Sequence, residues 1–237
     1  MTDSSAAARR AATSSDPVPT RIWDLPTRVF HWSLGAAVIG LIATGLGGVM
    51  EWHFRLGYAV LALLLFRLLW GFVGGRWSRF AAFFYGPGSL VAYLRGRAHP
   101  DHVIGHTPLG ALSVFAVLAV LVLQVATGLV ADDEISAAGP LTRFVSGEVV
   151  SLATGWHKGS GKTIVIALVS LHVLAILFYV LVRRHHLVRP MLSGDKLITA
   201  PGRQVSPSRD DAASRGLALA LFAACAGVAW WIASLRV

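Results

Sequence analysis

Charged residues are scarce in this chain. Asp, Glu, Lys and Arg make up 14% of its 237 residues, whereas a soluble domain carries about 25% charged residues. Hydrophobic residues make up 55%, and they cluster in runs of about 20, the length of helix that spans a bilayer. The composition therefore excludes a soluble globular domain and predicts one helical domain that crosses a membrane several times.

Cysteine is also nearly absent. Because Cys225 is the single cysteine, the chain can form neither an intramolecular disulfide nor a cysteine-based metal cluster. The sequence has no paired-carboxylate, nucleophile or phosphate-loop motif, which argues against bond-making catalysis. The formal net charge of +9 does not indicate a nucleic-acid partner, because the basic residues flank the apolar runs, as they do in membrane proteins.

Five apolar runs predict five transmembrane helices. They cover about residues 29–48, 54–73, 108–130, 161–182 and 216–235. The predicted domain layout is a disordered cytoplasmic tail at 1–20, a four-helix domain at 21–200, a linker at 201–215 and an additional transmembrane helix at 216–237. The segment between the third and fourth spans, residues 131–156, is predicted to lie on the outer interface as a short amphipathic helix.

Most of the Lys and Arg residues fall on one side of this topology. They lie in the tail, in the loop between the second and third spans, and in the segment between the fourth and fifth spans. The opposite side has an acidic loop that begins at Asp132-Asp133-Glu134. The positive-inside rule then predicts a multi-pass protein of the bacterial inner membrane, with the N-terminus cytoplasmic and the C-terminus periplasmic.

Four histidines sort into two pairs by their depth in the membrane. His157 and His172 are 15 residues apart in the fourth span, a rise of about 22 Å along a helix. His53 opens the second span on the outer side, and His31 lies near the cytoplasmic start of the first. Helix length therefore pairs His53 with His157 and His31 with His172. A histidine at a span end is often only an interfacial polar residue, but His172 is deep in its span, where ionisable groups usually face a partner or a cavity.

The residue types around these histidines favour haem over zinc. A zinc site needs four ligands and commonly includes Cys or carboxylate, and no such residue lies near these histidines in the apolar spans. Two imidazoles on opposite helices suit the two axial positions of a haem iron. Arg67, deep in the second span, has two open interpretations. It neutralises the propionates of the inner haem, or it extends along the helix to the cytoplasmic interface.

A weak internal repeat links the first and third spans. The first span ends Thr44-Gly45-Leu46, and the third ends Thr127-Gly128-Leu129. Two interpretations are open: an old duplication of a helical hairpin, or the general tendency of glycine to end helices.

Four segments of the chain form a characteristic set of motifs. The first is Trp23-Asp24-Leu25-Pro26-Thr27-Arg28-Val29-Phe30-His31-Trp32. The others are Phe66-Arg67-Leu68-Leu69-Trp70-Gly71-Phe72, Gly105-His106-Thr107-Pro108-Leu109-Gly110-Ala111 and Leu187-Val188-Arg189-Pro190-Met191-Leu192-Ser193-Gly194-Asp195-Lys196. The first motif resembles that of the first helix in the bacterial di-haem cytochrome b561 family, which includes the b-type cytochrome subunits of nickel-iron hydrogenases, and the other three support the resemblance. The resemblance covers about residues 21–200. It implies a four-helix core with two haem b groups, whose axial ligands match His31, His53, His157 and His172.

The chain departs from this family in two ways. The family spaces the two histidines of the fourth helix 14 apart, whereas His157 and His172 are 15 apart. Since one residue is 100° of helix, either the first turn of that helix is irregular or His157 is presented from a loop. The fifth span lies outside the four-helix core, and it either packs against a partner or serves as an anchor.

The predicted function is transmembrane electron transfer through two b-type haems. The resemblance implies the quinone pool as the small partner. A redox protein partner, either a cytochrome c or an oxidoreductase subunit, is also predicted. His106, just before the third span, lines a quinone or proton site or merely holds its loop by an interfacial hydrogen bond. Two alternatives are a self-contained quinone oxidoreductase and a cofactor-free metal-ion transporter.

Overall fold

The computed structural model describes residues 17–135, 137–184, 186–199 and 205–236. In chain order its elements are β1 (Val18–Arg21), α1 (Leu25–Leu46), α2 (Met50–Val73), α3 (Pro87–Leu94), α4 (Pro108–Val130), α5 (Gly147–Gly155), α6 (Lys162–Leu177), α7 (Val188–Ser193), β2 (Asp195–Ile198) and α8 (Ala212–Ser234). Two π-helical segments, Trp156–Gly161 and Phe178–Val182, adjoin α6. Three single-turn 3₁₀ helices lie at Phe80–Ala82, Pro100–Val103 and Thr142–Phe144.

Within the described residues, five helices are long and apolar enough to cross a membrane. They are α1, α2, α4, α8 and the kinked helical run 147–182, which contains α5 and α6. This confirms the predicted fold class, a helical transmembrane bundle with a fifth helix at the C-terminal end.

Two short strands lie at the end of the bundle where the basic residues concentrate. β1 and β2 pair antiparallel, with Val18 opposite Ile198 and Arg21 opposite Asp195. Residues 18–20 therefore lie in a strand, which corrects the predicted disorder at that end of the tail. Residues 1–16 lie outside the described residues. We call this end of the bundle, which holds β1, β2 and α7, the basic end, and the end with the loop 131–146 the acidic end.

A buried carboxylate fixes the basic end of the bundle. Asp24 is fully buried and caps α1 by accepting a hydrogen bond from the Thr27 N–H at 2.8 Å. It also accepts from the Gly75 N–H at 3.0 Å and from the Ser78 hydroxyl at 2.7 Å. Buried polar groups are stable only when their hydrogen bonds are satisfied. These contacts join the start of α1 to the end of α2, and they set the relative depth of the two helices.

The fifth helix packs inside its own chain. α8 runs along α2, and its buried side chains are small ones on one face, with Ala218, Cys225 and Ala229 among them. Small residues let two membrane helices approach closely. α8 begins at Ala212, so the last residues of the predicted linker belong to the helix.

A kink divides the helical run that contains the fourth span. The run covers 36 residues, 147–182, and its parts before and after the kink are α5 and α6. The short helix predicted within 131–156 is present as α5, and its place on the outer interface stays a prediction. The π-helical segment Trp156–Gly161 joins α5 to α6. Gly159 in this segment has φ −102° and ψ −105°, which are not helical values and mark a kink.

Candidate functional site

His53 and His157 face each other at the acidic end. His53 lies in the first turn of α2, and His157 lies in the π-helical segment. Their ring centroids are 6.0 Å apart, and the ring planes are at 87°. Both rings line a cavity of 470 Å³, within the range of about 300–1,000 Å³ that small-molecule and cofactor sites occupy.

His31 and His172 form a second pair toward the basic end. His31 comes from the second turn of α1, and His172 comes from the interior of α6. Their ring centroids are 6.2 Å apart, with the planes at 56°. The four histidines selected from the sequence thus meet in the two pairs that their depth predicts.

Backbone carbonyls orient the first pair. The Nδ1 of His53 lies 3.1 Å from the carbonyl oxygen of Leu41, and the Nδ1 of His157 lies 2.9 Å from that of Gln124. Because a carbonyl oxygen only accepts, each Nδ1 carries the proton and donates it. The other ring nitrogen, Nε2, then keeps its lone pair for a metal.

The two halves of the bundle build this arrangement in the same way. Each accepting carbonyl lies four residues before a glycine, Gly45 or Gly128, against which the histidine ring packs. A Cβ on Gly45 would lie 3.1 Å from the Cε1 of His53, and one on Gly128 would lie 2.7 Å from the Cε1 of His157. The internal Thr-Gly repeat in the sequence therefore has a structural counterpart, in which each glycine leaves room for a histidine ring. The repeat is visible in the sequence, but its connection to the histidine rings is not.

The second pair leaves a buried ring nitrogen open. The Nδ1 of His31 is buried and has no hydrogen-bond partner among the described residues. A buried polar atom without a partner costs about 1–3 kcal/mol. Such an atom in a histidine that faces another histidine fits a ring that is completed by a bound group.

The geometry of both pairs fits a haem. A metal–imidazole bond is about 2 Å long, so a metal between two imidazoles holds the ring centroids roughly 6 Å apart. In the part of the chain that the structure describes, no group of three or more His, Cys, Asp or Glu is placed to hold a metal ion. Two imidazoles alone suit an iron whose other four ligands come from a porphyrin.

Arg67 is buried beneath the loop that follows α2. The residue is only 3% exposed, and its guanidinium donates to the carbonyl of Ser78 at 3.0 Å. It also lies over the ring of Phe80, 4.7 Å from the ring centroid. A side chain that extended to the interface would keep its charge in water, so the buried position does not fit the second interpretation of Arg67.

His106 packs between two aromatic rings at the basic end. Its ring centroid lies 4.6 Å from that of Trp23 and 4.3 Å from that of Phe83. Burial, with the positive charge of Arg67 nearby, lowers the pKa of His106 to about 3, so the ring is neutral at physiological pH. Its Nδ1 is buried without a partner among the described residues. The backbone carbonyl, not the ring, makes the loop contact, accepting from the Tyr85 hydroxyl at 2.9 Å.

Two lysines at the mouth of the 470 Å³ cavity were not among the site residues predicted from the sequence. Lys158 and Lys162 both line it, and both are exposed. They are four residues apart, so a helical reading of that stretch places the two lysines on one face. They offer positive charge where the acidic groups of a bound cofactor would meet water.

The fold and the paired imidazoles define a class of protein, the membrane-embedded b-type cytochromes. The chain belongs to the prokaryotic cytochrome b561 family, whose model matches residues 22–194. It is 22% identical over 212 residues to the "Probable Ni/Fe-hydrogenase B-type cytochrome subunit" of Bradyrhizobium diazoefficiens, with 74% of this chain and 85% of that relative covered. No solved structure matches. Family membership makes this chain a multi-pass bacterial membrane protein that uses haem b in electron transfer.

Proposed function

We propose that the chain carries electrons across the membrane through two haem b groups. One is held by His53 and His157, and the other by His31 and His172. The observation that carries this proposal is the presence of two facing histidine pairs, about 6 Å between ring centroids, at two depths of one bundle. Haem b, when bound, supplies an iron that gains and loses one electron.

The protein's own residues would orient and insulate these groups. The carbonyls of Leu41 and Gln124 hold the Nδ1 protons, which fixes the tautomer of each ring and leaves Nε2 for the iron. Apolar residues such as Val60, Leu121 and Val165 line the cavity and exclude water. Lys158 and Lys162 would meet the propionates of one haem, and Arg67 those of the other.

The haem content distinguishes this proposal from a cofactor-free metal-ion transporter. We expect about two haem b per chain in a pyridine haemochrome assay of the purified membrane protein. The reduced-minus-oxidised spectrum should show a split α-band, because the two sites differ in their surroundings. A protein without a Soret band would support the transporter, and one haem per chain would contradict the paired sites.

The electron partners are proposed from chemistry and from the named relative. A subunit of a redox enzyme needs a protein partner, and the relative's name describes such a subunit. We propose the quinone pool as the small partner, exchanging electrons near the basic end, where His106 offers a neutral ring nitrogen for a hydrogen bond. A cytochrome c or an oxidoreductase subunit would be the protein partner. A self-contained quinone oxidoreductase is the second candidate, and quinol turnover by the isolated chain with a soluble acceptor would favour it.

The orientation follows the distribution of charge. We place the basic end in the cytoplasm of a bacterial inner membrane and the C-terminus in the periplasm. At the basic end, Arg21, Arg28 and Arg215 surround Asp210 in one ion-pair network. These arginines keep the N-terminal strand and the start of α8 together on the side that the positive-inside rule assigns to the cytoplasm.

Replacing Arg67 with alanine should lower the midpoint potential of one haem. A buried positive charge favours the reduced iron, so its loss favours the oxidised form. A unit charge at about 10 Å in an effective dielectric of about 20 corresponds to a shift on the order of tens of millivolts. Arg67→Lys keeps the charge and serves as the control. A redox titration in which both midpoints stay at their wild-type values would exclude the propionate role.

A further inference from the structure

Gln124 of α4 makes two hydrogen bonds to His157, one with its ring and one with its backbone. Its backbone carbonyl oxygen accepts the Nδ1 proton of His157 at 2.9 Å. Its side-chain Nε2 donates to the backbone carbonyl of His157, also at 2.9 Å. One residue therefore holds the ring and the main chain of the same histidine.

The matching position in the other half of the bundle has only the first of these contacts. Leu41 lies four residues before Gly45, as Gln124 lies four residues before Gly128, and its carbonyl accepts from His53. A leucine side chain has no donor for a second bond. The backbone also differs, because the His53 N–H donates to the Val49 carbonyl at 3.1 Å in a regular turn, whereas His157 lies in the π-helical kink. A side chain that inserts into the backbone hydrogen-bond ladder is a known cause of helix kinks.

Gly161 makes room for the amide of Gln124. A Cβ at position 161 would lie 2.1 Å from the Oε1 of Gln124 and 2.6 Å from the Nε1 of Trp156. Both atoms are buried, and neither has a hydrogen-bond partner among the described residues. Any side chain at this position would push the amide away from the carbonyl of His157.

We propose that Gln124 is a positioning residue, which holds the kink at 156–161 and thereby sets the orientation of the His157 ring. An i→i+5 turn contains one residue more than an i→i+4 turn, so the kink absorbs the extra residue between His157 and His172. The inference rests on the proposed role of His157 as a haem ligand, and it adds the residue that gives that ligand its geometry.

The variant Gln124→Met keeps the length of the side chain and removes the donor. We expect faster hydrogen exchange of the backbone amides of residues 157–163, measured by mass spectrometry. We also expect roughly 10–100-fold weaker haem binding at His53–His157. The midpoint potential of that haem should shift, while the haem at His31–His172 keeps its signals. Leu123→Met, an exposed neighbour on α4, is the matched control and should leave the exchange rates, the haem affinity and the midpoint potential unchanged.

Gly161→Ala is a second variant, which disrupts the hydrogen bond between the Gln124 side chain and the His157 carbonyl without changing Gln124. We expect it to reproduce all three effects of Gln124→Met. Wild-type exchange rates in both variants would overturn the proposal, and so would faster exchange with unchanged potentials of both haems. A wild-type chain that binds no haem at His157 would contradict the proposed function instead, and the exchange rates would still decide whether Gln124 holds the kink.

Discussion

Replacing His172 with alanine is expected to remove the haem at His31–His172 and to leave the other haem bound. The haem content should fall by about half, because a six-coordinate haem that loses one axial ligand keeps only a single protein bond to its iron. His172 lies in the interior of α6, where no water is available to replace the imidazole. The measurements are the pyridine haemochrome content and the reduced α-band, one component of which should disappear.

The control for this variant is Leu171→Ala, which changes an exposed neighbour in the same turn. It should retain the full haem content. Equal loss of both spectral components in His172→Ala would contradict two separate sites and would indicate instead that His172 supports the whole bundle.

The parts of this structure that the sequence predicts are those governed by local rules. The rise of 1.5 Å per residue is a constant of the α-helix, so the depths of His31, His53 and His172 follow from their positions in the apolar runs. Runs of about 20 apolar residues likewise predict the spans, because the thickness of the bilayer is constant. The basic residues predict an orientation, which stays a prediction.

The parts that escaped prediction depend on contacts between distant residues. Asp24 can be expected to cap a helix, but its bonds to Gly75 and Ser78 depend on how α1 and α2 pack. The strand at 18–21 exists only because β2, more than 170 residues later, pairs with it. The kink at His157 involves a side chain on another helix, which explains why the 15-residue spacing indicated an irregularity without giving its form.

The internal Thr-Gly repeat shows how a weak sequence signal becomes informative in three dimensions. Glycine near a helix end has several causes, and one sequence cannot separate them. For Gly45 and Gly128 the structure identifies the cause, because each glycine packs against a different histidine ring. The resulting pseudo-symmetry relates Leu41 to Gln124, and the contrast between these two residues is what identifies the additional contact at His157.

Replacing His157 with alanine is expected to remove the haem at His53–His157, with a loss of about half of the haem content. Gly128→Ala should cause the same loss while His157 stays in place, because the new methyl group would lie 2.7 Å from its Cε1 and displace the ring. Gly155→Ala is the control, since a Cβ there meets nothing within 4 Å. Full haem content in both His157→Ala and Gly128→Ala would mean that another group ligates this iron. Loss in His157→Ala alone would show that the ring tolerates displacement, and that the close approach of Gly128 is a matter of helix packing.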